Sequence, residues 1–259
     1  MKTSRKLIVF SLALVLILSC LSSNGETTPV EEPAQEKPTQ ENTTVPEPTA
    51  TLEPTAEPTN TPIPEPTATP KPQPGDLIYK TTFDDIGDWE IKAKDTLAGY
   101  KSESRSDGLY VQVPEDYDFW IAYYNNLNDG DVRMEADVEK TSGTNFTYID
   151  LYCRATEDGM YVFQLDTGGY WHIGKYDFNA DQTFTQLASG ASNNIRVGNN
   201  PNHMTAVCKG DELTFTINGE LIDSVQDSQF TNGSIGVGAE TFDIPLAEFM
   251  FHELEVFVP

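Results

Sequence analysis

The sequence predicts an all-β protein, an antiparallel β-sandwich or jelly roll that is preceded by a disordered linker. Every Trp, every Tyr and every Phe except Phe10 lies after residue 76, so the C-terminal part alone has the residues to build a core. From Asp76 onward, apolar and polar residues alternate over short runs separated by Gly, Asn and Asp clusters, as in half-buried strands. We find no helical periodicity over about 12 residues in this part. Many short strands at this spacing are typical of sandwiches and jelly rolls.

Thirteen runs rich in Val, Ile, Thr, Tyr and Phe are predicted as strands. They are Leu77–Phe83, Leu109–Val113, Trp120–Tyr124, Val132–Glu139, Tyr148–Arg154, Met160–Asp166, Tyr170–Tyr176, Thr183–Ala188, Met204–Cys208, Leu213–Ile217, Leu221–Val225, Ser234–Gly238 and Glu248–Phe257. Asn218-Gly219 predicts a two-residue hairpin, because both residue types tolerate a positive φ.

The run Val132–Glu139 shows the alternation most clearly. Its apolar residues Val132, Met134, Ala136 and Val138 occupy every second position, and charged residues occupy the positions between them. Since successive side chains of a strand point to opposite faces, we expect the apolar set to face the core.

The N-terminus carries the features of an export signal. Basic residues precede Leu7–Leu18, an apolar run too short to span a bilayer of about 30 Å as a helix. The run ends in Ile17-Leu18-Ser19-Cys20, which resembles a bacterial lipobox. The resemblance implies that residues 1–20 are a lipoprotein signal peptide, that Cys20 becomes a diacylated N-terminus, and that the protein is lipid-anchored at the cell membrane or outer surface. An ordinary signal peptide and an uncleaved anchor helix are the alternatives.

Residues 21–75 have the composition of a tether. Thirteen of the 17 prolines lie between Pro29 and Pro74, and the unit Glu-Pro-Thr-Ala begins at residues 47, 53 and 65. Proline disfavours helix, and the segment has almost nothing apolar to bury, so it cannot offset the entropy lost on ordering. We predict a disordered, extended tether before a single domain at residues 76–259.

The charge of the chain excludes some partners. The formal net charge is −25, and residues 76–259 contribute −21 of it, from 11 basic and 32 acidic residues. An acidic surface repels phosphate backbones and anionic lipid, so nucleic acid is not an expected partner, and the membrane is reached only through the lipid anchor.

The middle and C-terminal hairpins suggest a family. The runs IDLYCRATEDGMYVFQLDTGGYWHIGKY and HMTAVCKGDELTFTINGELIDSVQDSQFTNGSIGVGAET resemble the concanavalin A-like lectin/glucanase superfamily, with closest similarity to laminin-G-like and 3-keto-disaccharide hydrolase-type domains. The resemblance covers residues 76–259. It implies a two-sheet jelly roll with one concave face, which is often used to bind carbohydrate.

Fold alone does not select a function within this superfamily, because it contains enzymes and non-catalytic modules. We favour a surface-tethered, non-catalytic module that binds an extracellular glycan or mediates adhesion. A glycoside hydrolase acting on extracellular polysaccharide and a protein-interaction or sensor domain are the alternatives.

Two cysteines lie within the predicted domain. Cys153 and Cys208 both fall in strand patterns, and an even pair in an exported domain favours a disulfide. The alternative is two buried free thiols.

One acidic motif has the form used by retaining β-glucanases of this superfamily. In Glu135-Ala136-Asp137-Val138-Glu139 the carboxylates alternate along a strand, so all three share one face. The resemblance implies that Glu135 would be the nucleophile and Glu139 the acid/base, with Asp137 between them. An acidic solvent-facing strand is the alternative, and we favour no catalytic role here.

Aromatic residues are the stronger ligand candidates. Their faces stack on the C–H surfaces of sugars, and Trp171, Tyr124 and Tyr170 are selected as ligand-binding residues. For any single aromatic residue, packing in the sandwich core is the alternative.

No cofactor is expected, except a structural calcium ion. Sandwich domains of the resembling superfamily often bind calcium between the first and last strands, and this implies Asp84 and Asp85 as ligands. The last strand departs from the pattern, because His252 follows Phe251 where an acidic residue is usual.

Overall fold

A computed structural model gives the fold. It describes residues 71–93, 99–180, 183–242 and 245–259.

The signal peptide, Cys20 and the tether up to residue 70 lie outside the described residues, so the predictions about them remain predictions. Within the described part, no helix has the length and apolarity needed to cross a membrane.

The described residues form fifteen strands. In chain order they are β1 (Leu77–Thr81), β2 (Trp89–Ala93), β3 (Lys101–Arg105), β4 (Gly108–Val113), β5 (Phe119–Asn128), β6 (Val132–Ser142), β7 (Thr147–Ala155), β8 (Gly159–Asp166), β9 (Tyr170–Asp177), β10 (Thr183–Ala191), β11 (Asn202–Lys209), β12 (Glu212–Ile217), β13 (Glu220–Gln226), β14 (Ser234–Thr241) and β15 (Ala247–Phe257).

These strands make two antiparallel sheets. The eight-stranded sheet has the order β13-β12-β11-β6-β15-β4-β3, and β1 also pairs with β15. The seven-stranded sheet has the order β10-β9-β8-β7-β14-β5-β2. Because β13, β14 and β15 alternate between the sheets, the chain crosses the sandwich repeatedly. The predicted all-β antiparallel sandwich is confirmed.

The core lies between the two sheets. The ring of Trp120 on β5 is 6.2 Å from that of Phe251 on β15, and Phe163 on β8 is 5.6 Å from Phe215 on β12. Each pair joins one sheet to the other, and all four side chains are fully buried. Aromatic pairs of this geometry add to the stabilisation from burial alone.

The predicted alternation of β6 is confirmed. Val132, Met134, Ala136 and Val138 are all buried, and the charged residues between them are half-buried or exposed. All thirteen predicted strands are present. Asn218 and Gly219 have φ values of 52° and 84° and connect β12 to β13, as predicted for this hairpin.

Two strands were missed by the sequence pattern, β2 and β3. Both are five residues long and lie at an edge of their sheet. An edge strand has a neighbour on one side only, so it buries little, and β3 accordingly has the polar sequence KSESR.

The predicted disulfide is confirmed. Cys153 on β7 and Cys208 on β11 are bonded, with a Cα–Cα distance of 6.8 Å and 55 residues of separation. The two strands belong to different sheets, so the bond crosses the core and fastens one sheet to the other.

Candidate functional site

The outer face of the seven-stranded sheet carries a second apolar cluster. Alternate residues of its strands point away from the core, and many of them are aromatic or aliphatic. The cluster consists of Ile121, Tyr123, Tyr152, Met160 and Val162, with Phe119, Ala155, Tyr176 and Phe178 packed against it. A sheet face that only meets water would be polar, so this composition marks the face as a candidate binding surface.

A cleft of about 640 Å³ opens on this face. Its lining residues are Lys92, Ala93, Phe119, Ile121, Tyr123, Thr156, Glu157, Met160, Tyr176, Phe178 and Glu240. A neighbouring hollow of about 290 Å³ shares part of this lining and extends toward Asn125 and Ser234. Together the two form a groove of the size that binds small ligands.

Two glycines of β14 shape the floor. A Cβ at Gly238 would lie 2.7 Å from the Tyr152 ring, and one at Gly236 would lie 3.0 Å from the Tyr123 ring. Because glycine has no Cβ, both rings lie close against the sheet. The position of the aromatic floor therefore depends on these glycines.

A pair of carboxyl groups lies at the edge of this floor. Asp150 on β7 and Glu240 on β14 come from hydrogen-bonded neighbouring strands and point to the same outer side. Tyr152 Oη donates to Asp150 Oδ2 at 2.8 Å, and Tyr176 Oη donates to Glu240 Oε1 at 3.2 Å. The side chain of Asp150 is fully buried, whereas Glu240 is half-buried and lines the cleft.

Burial shifts the titration of both carboxyls. Burial raises the pKa of Glu240 to about 7, and burial followed by the charge of Glu240 raises the pKa of Asp150 well above its usual range. Among the described residues, the buried Asp150 Oδ1 has no hydrogen-bond partner. Because the charge on one group affects the pKa of the other, the two titrations depend on each other.

The surrounding phenols are neutral donors. Burial raises the pKa of Tyr152 and Tyr176, and the neighbouring carboxylates raise both further. Gln164 lies opposite Asp150 on β8, and its Nε2 is buried without an acceptor of suitable geometry in the described part of the chain. A bound hydroxyl or a water molecule that reaches this donor would remove the cost of leaving it unpaired.

Sequence comparisons give no match: no family model fits the chain, and no curated protein is similar to it. Solved structures do match. A Bacillus subtilis protein of unknown function with a galectin-like fold has a TM-score of 0.57 and 14% identity, over 72% of this chain and 97% of that one. The carbohydrate-binding module CBM66 from Bacillus subtilis has a TM-score of 0.51 and 16% identity, over 64% and 92% of the two chains.

A third similar structure is a glycoside hydrolase. The GH16 protein of the Bacteroides ovatus mixed-linkage glucan PUL, in complex with a G4G4G3G product, has a TM-score of 0.55 and 8% identity, over 69% and 99% of the two chains. The chain has the concanavalin A-like jelly-roll fold. At these identities the jelly roll is shown, and its ligand is not.

The three aromatic residues predicted to bind ligand lie in two different parts of the jelly roll. Trp171 is only 6% exposed and belongs to the core between the sheets. Tyr124 also packs against the core, where its ring stacks on that of Tyr79 at 4.1 Å. Their burial favours the core alternative over the predicted ligand-binding role. Tyr170 is 54% exposed on the outer face, so its role stays a prediction.

The E-x-D-x-E motif lies on the other sheet of the jelly roll. Glu135, Asp137 and Glu139 point outward from β6, as the alternation predicted, but β6 belongs to the eight-stranded sheet. His203 Nδ1 is 2.8 Å from Asp137 Oδ1, and His252 Nε2 is 3.4 Å from Glu139 Oε1. The motif therefore lies on the face opposite the aromatic cleft, in contact with histidines.

The two predicted calcium ligands bond within their own turn. Thr82 Oγ1 donates to Asp84 Oδ2 at 2.8 Å, and the backbone N–H of Gly87 donates to Asp85 Oδ1 at 2.7 Å. No group of three or more His, Cys, Asp or Glu that could hold a metal ion occurs in the described ranges. The structure thus gives these aspartates a role in the turn.

Asp150 and Glu240 were not identified from the sequence. Each is the single acidic residue of its strand, which is a weak signal. The Gly-x-Gly spacing at Gly236 and Gly238 was a second signal, since glycines inside a strand mark close approach of another group.

Proposed function

We propose that this jelly roll is a non-catalytic carbohydrate-binding module, which binds an extracellular glycan in the cleft on the outer face of the seven-stranded sheet. The observation that carries the proposal is the aromatic cleft with a buried carboxyl pair at its edge. The similarity in fold to CBM66 supports it, as does the similarity to lectin-like structures.

The chemistry of the cleft suits sugars. Rings such as those of Tyr176 and Phe178 offer flat apolar surfaces for the C–H faces of a pyranose. The Glu240 carboxyl offers hydrogen-bond acceptors and the tyrosine hydroxyls offer donors, and a sugar hydroxyl can both donate and accept. Sites of this kind combine apolar walls with a few placed polar groups.

Replacing Phe178 with alanine is expected to weaken glycan binding about 5- to 30-fold. The substitution removes one aromatic wall of the cleft, and loss of an aromatic contact of this kind costs on the order of 1–2 kcal/mol. A glycan array identifies the ligand, and isothermal titration calorimetry then compares Kd for Phe178→Ala and wild type.

Phe257→Ala is the matched control. Phe257 is also half-buried, but it lies on β15 in the eight-stranded sheet, beneath Arg133. The control should bind as the wild type does. Equal loss in both variants, or no loss in Phe178→Ala, would place the ligand elsewhere, and an empty array would favour a protein-interaction or sensor domain.

Glycoside hydrolysis is the second candidate, because Glu240 lines the cleft and has a pKa of about 7, as a general acid requires. The position of Asp150 counts against it, because this second carboxyl is fully buried and does not line the cleft. Retaining enzymes separate their carboxyls by about 5 Å, and inverting enzymes by more, so that a sugar or water fits between them. Turnover of an array ligand that is lost in Glu240→Gln would establish hydrolysis in place of simple binding.

We also propose that the domain is held at the cell surface by a diacylated Cys20 and an extended tether. The lipobox-like Ile17-Leu18-Ser19-Cys20 and the proline-rich composition support this. Cells grown with a palmitate analogue should label the wild type and not Cys20→Ser. Label that survives in the variant would exclude lipidation at this cysteine.

A further inference from the structure

Among the described residues that line the cleft, the lysine has an ion-pair partner and the glutamates have none. Lys92 is the cation in its lining, and Lys92 Nζ lies 3.3 Å from Glu90 Oε1 and 5.3 Å from the centre of the Tyr123 ring. Lys92 is therefore already engaged by groups on its own side of the cleft. The carboxyls of Glu157 and Glu240 line the same space without such a partner among the described residues.

Tyrosine and glutamine side chains make up most of the polar surroundings of the carboxyl pair. No ion pair reaches Asp150 or Glu240 from any residue that the structure describes. The polar and titratable groups near them on the outer face are Tyr123, Tyr148, Tyr152, Gln164, Asp166, His172 and Tyr176. A buried carboxylate without a cation is costly, and this cost raises the pKa of both groups.

The aromatic wall would add to the attraction of a cation. The rings of Tyr176 and Phe178 are nearly parallel, at an interplanar angle of 25° and a centroid distance of 6.5 Å. The faces of such rings attract cations, by about 0.5–2 kcal/mol according to how far the cation is desolvated. A cation in the cleft would thus meet an aromatic wall and the carboxyl of Glu240 together.

We infer that the cleft selects sugars with a free, protonated amino group, such as glucosamine residues, over neutral and acidic sugars. This deepens the proposed function and rests on it. The ammonium group supplies the cation that Glu240 lacks in the cleft, and its donors fit the carboxylate oxygens of Glu240. Uronic acids and sulfated sugars would add negative charge beside Glu157 and Glu240, where like charges repel.

The test compares three hexasaccharides by titration calorimetry with the whole domain near neutral pH. These are the glucosamine oligomer, its fully N-acetylated counterpart, and the glucose oligomer with the same linkage. We expect the glucosamine oligomer to bind at least about tenfold more tightly than the N-acetylated one, a difference of about 1.4 kcal/mol. In Glu240→Gln this ratio should fall toward one.

Glu135→Gln is the matched control, because it removes one negative charge from the outer face of the opposite sheet. It should keep the wild-type ratio. Since the chain carries a net charge of −25, cationic oligomers are attracted to it generally. The inference is overturned if the preference for the glucosamine oligomer falls equally in both variants, or if it is unchanged in Glu240→Gln. Either result would show general attraction of cationic oligomers to an acidic chain.

The remaining outcomes separate this inference from the proposed function. If the neutral oligomers bind the cleft as tightly as the glucosamine oligomer, the inference fails and carbohydrate binding stands. If no oligomer binds and the glycan array is empty, carbohydrate binding fails as well.

Discussion

Replacing both Cys153 and Cys208 with alanine should lower the free energy of unfolding by roughly 4 kcal/mol. The disulfide closes a loop of 55 residues, and opening it returns the corresponding chain entropy to the unfolded state. The effect is large for a single bond, because typical domains are stable by only about 5–15 kcal/mol. Urea unfolding of the oxidised wild type and the double variant, followed by Trp fluorescence, measures the difference.

The reduced wild type serves as the control for lost packing. Cys153 and Cys208 are fully buried, so alanine also removes two sulfur atoms from the core. The reduced protein keeps those atoms and lacks only the bond, so it should show most of the loss. If oxidised and reduced protein unfold at the same urea concentration, the bond does not stabilise the domain.

Replacing Glu240 with glutamine should stabilise the domain at neutral and alkaline pH, by on the order of 3 kcal/mol. Burial raises the pKa of Glu240 from 4.5 to about 7, so the folded state binds its proton more tightly than the unfolded state does. The stability of the wild type should therefore be highest below about pH 4.5 as far as this group is concerned. It should fall as the pH rises to about 7 and stay lower above that.

The measurement is the pH dependence of unfolding for Glu240→Gln and wild type. The amide cannot ionise, so the variant should lose the part of the decline between about pH 4.5 and about pH 7 that Glu240 causes, while Asp150 still contributes its own part. The control Glu135→Gln changes a residue of the other sheet and should keep the decline in stability. The same control corrects for the general self-repulsion of an acidic chain. If the free energy of unfolding changes with pH in the same way in wild type and Glu240→Gln, burial does not raise the pKa of Glu240.

The proposed function would explain why this pair is present despite its energetic cost. The fold itself gains nothing from two neighbouring carboxyls that favour the protonated state, and apolar residues would pack at Asp150 and Glu240 without that cost. Titratable groups with strongly shifted pKa values in a cleft are concentrated at functional sites. The predicted stabilisation of Glu240→Gln and its predicted loss of ligand preference are thus two consequences of the same placement.

The sequence predicted most strands from alternation. Thirteen runs were found as strands, since burial of one face imposes a period of two directly on the residues. These include the edge strands β10 and β13, whereas the edge strands β2 and β3 were missed, and β3 carries the polar sequence KSESR, which buries little. The disulfide followed from the cysteine count and the predicted export, and the structure adds that it joins the two sheets.

By itself, the sequence determined which residues of a strand share a face, and it thereby determined the all-β fold and the common orientation of Glu135, Asp137 and Glu139. Only the tertiary structure decided which sheet each strand joins and which face meets the core. It placed that motif opposite the cleft, buried Trp171 in the core, and brought Asp150 together with Glu240. The physical reason is that alternation is a local property of the backbone, whereas the pairing of strands distant in sequence depends on packing of the whole core.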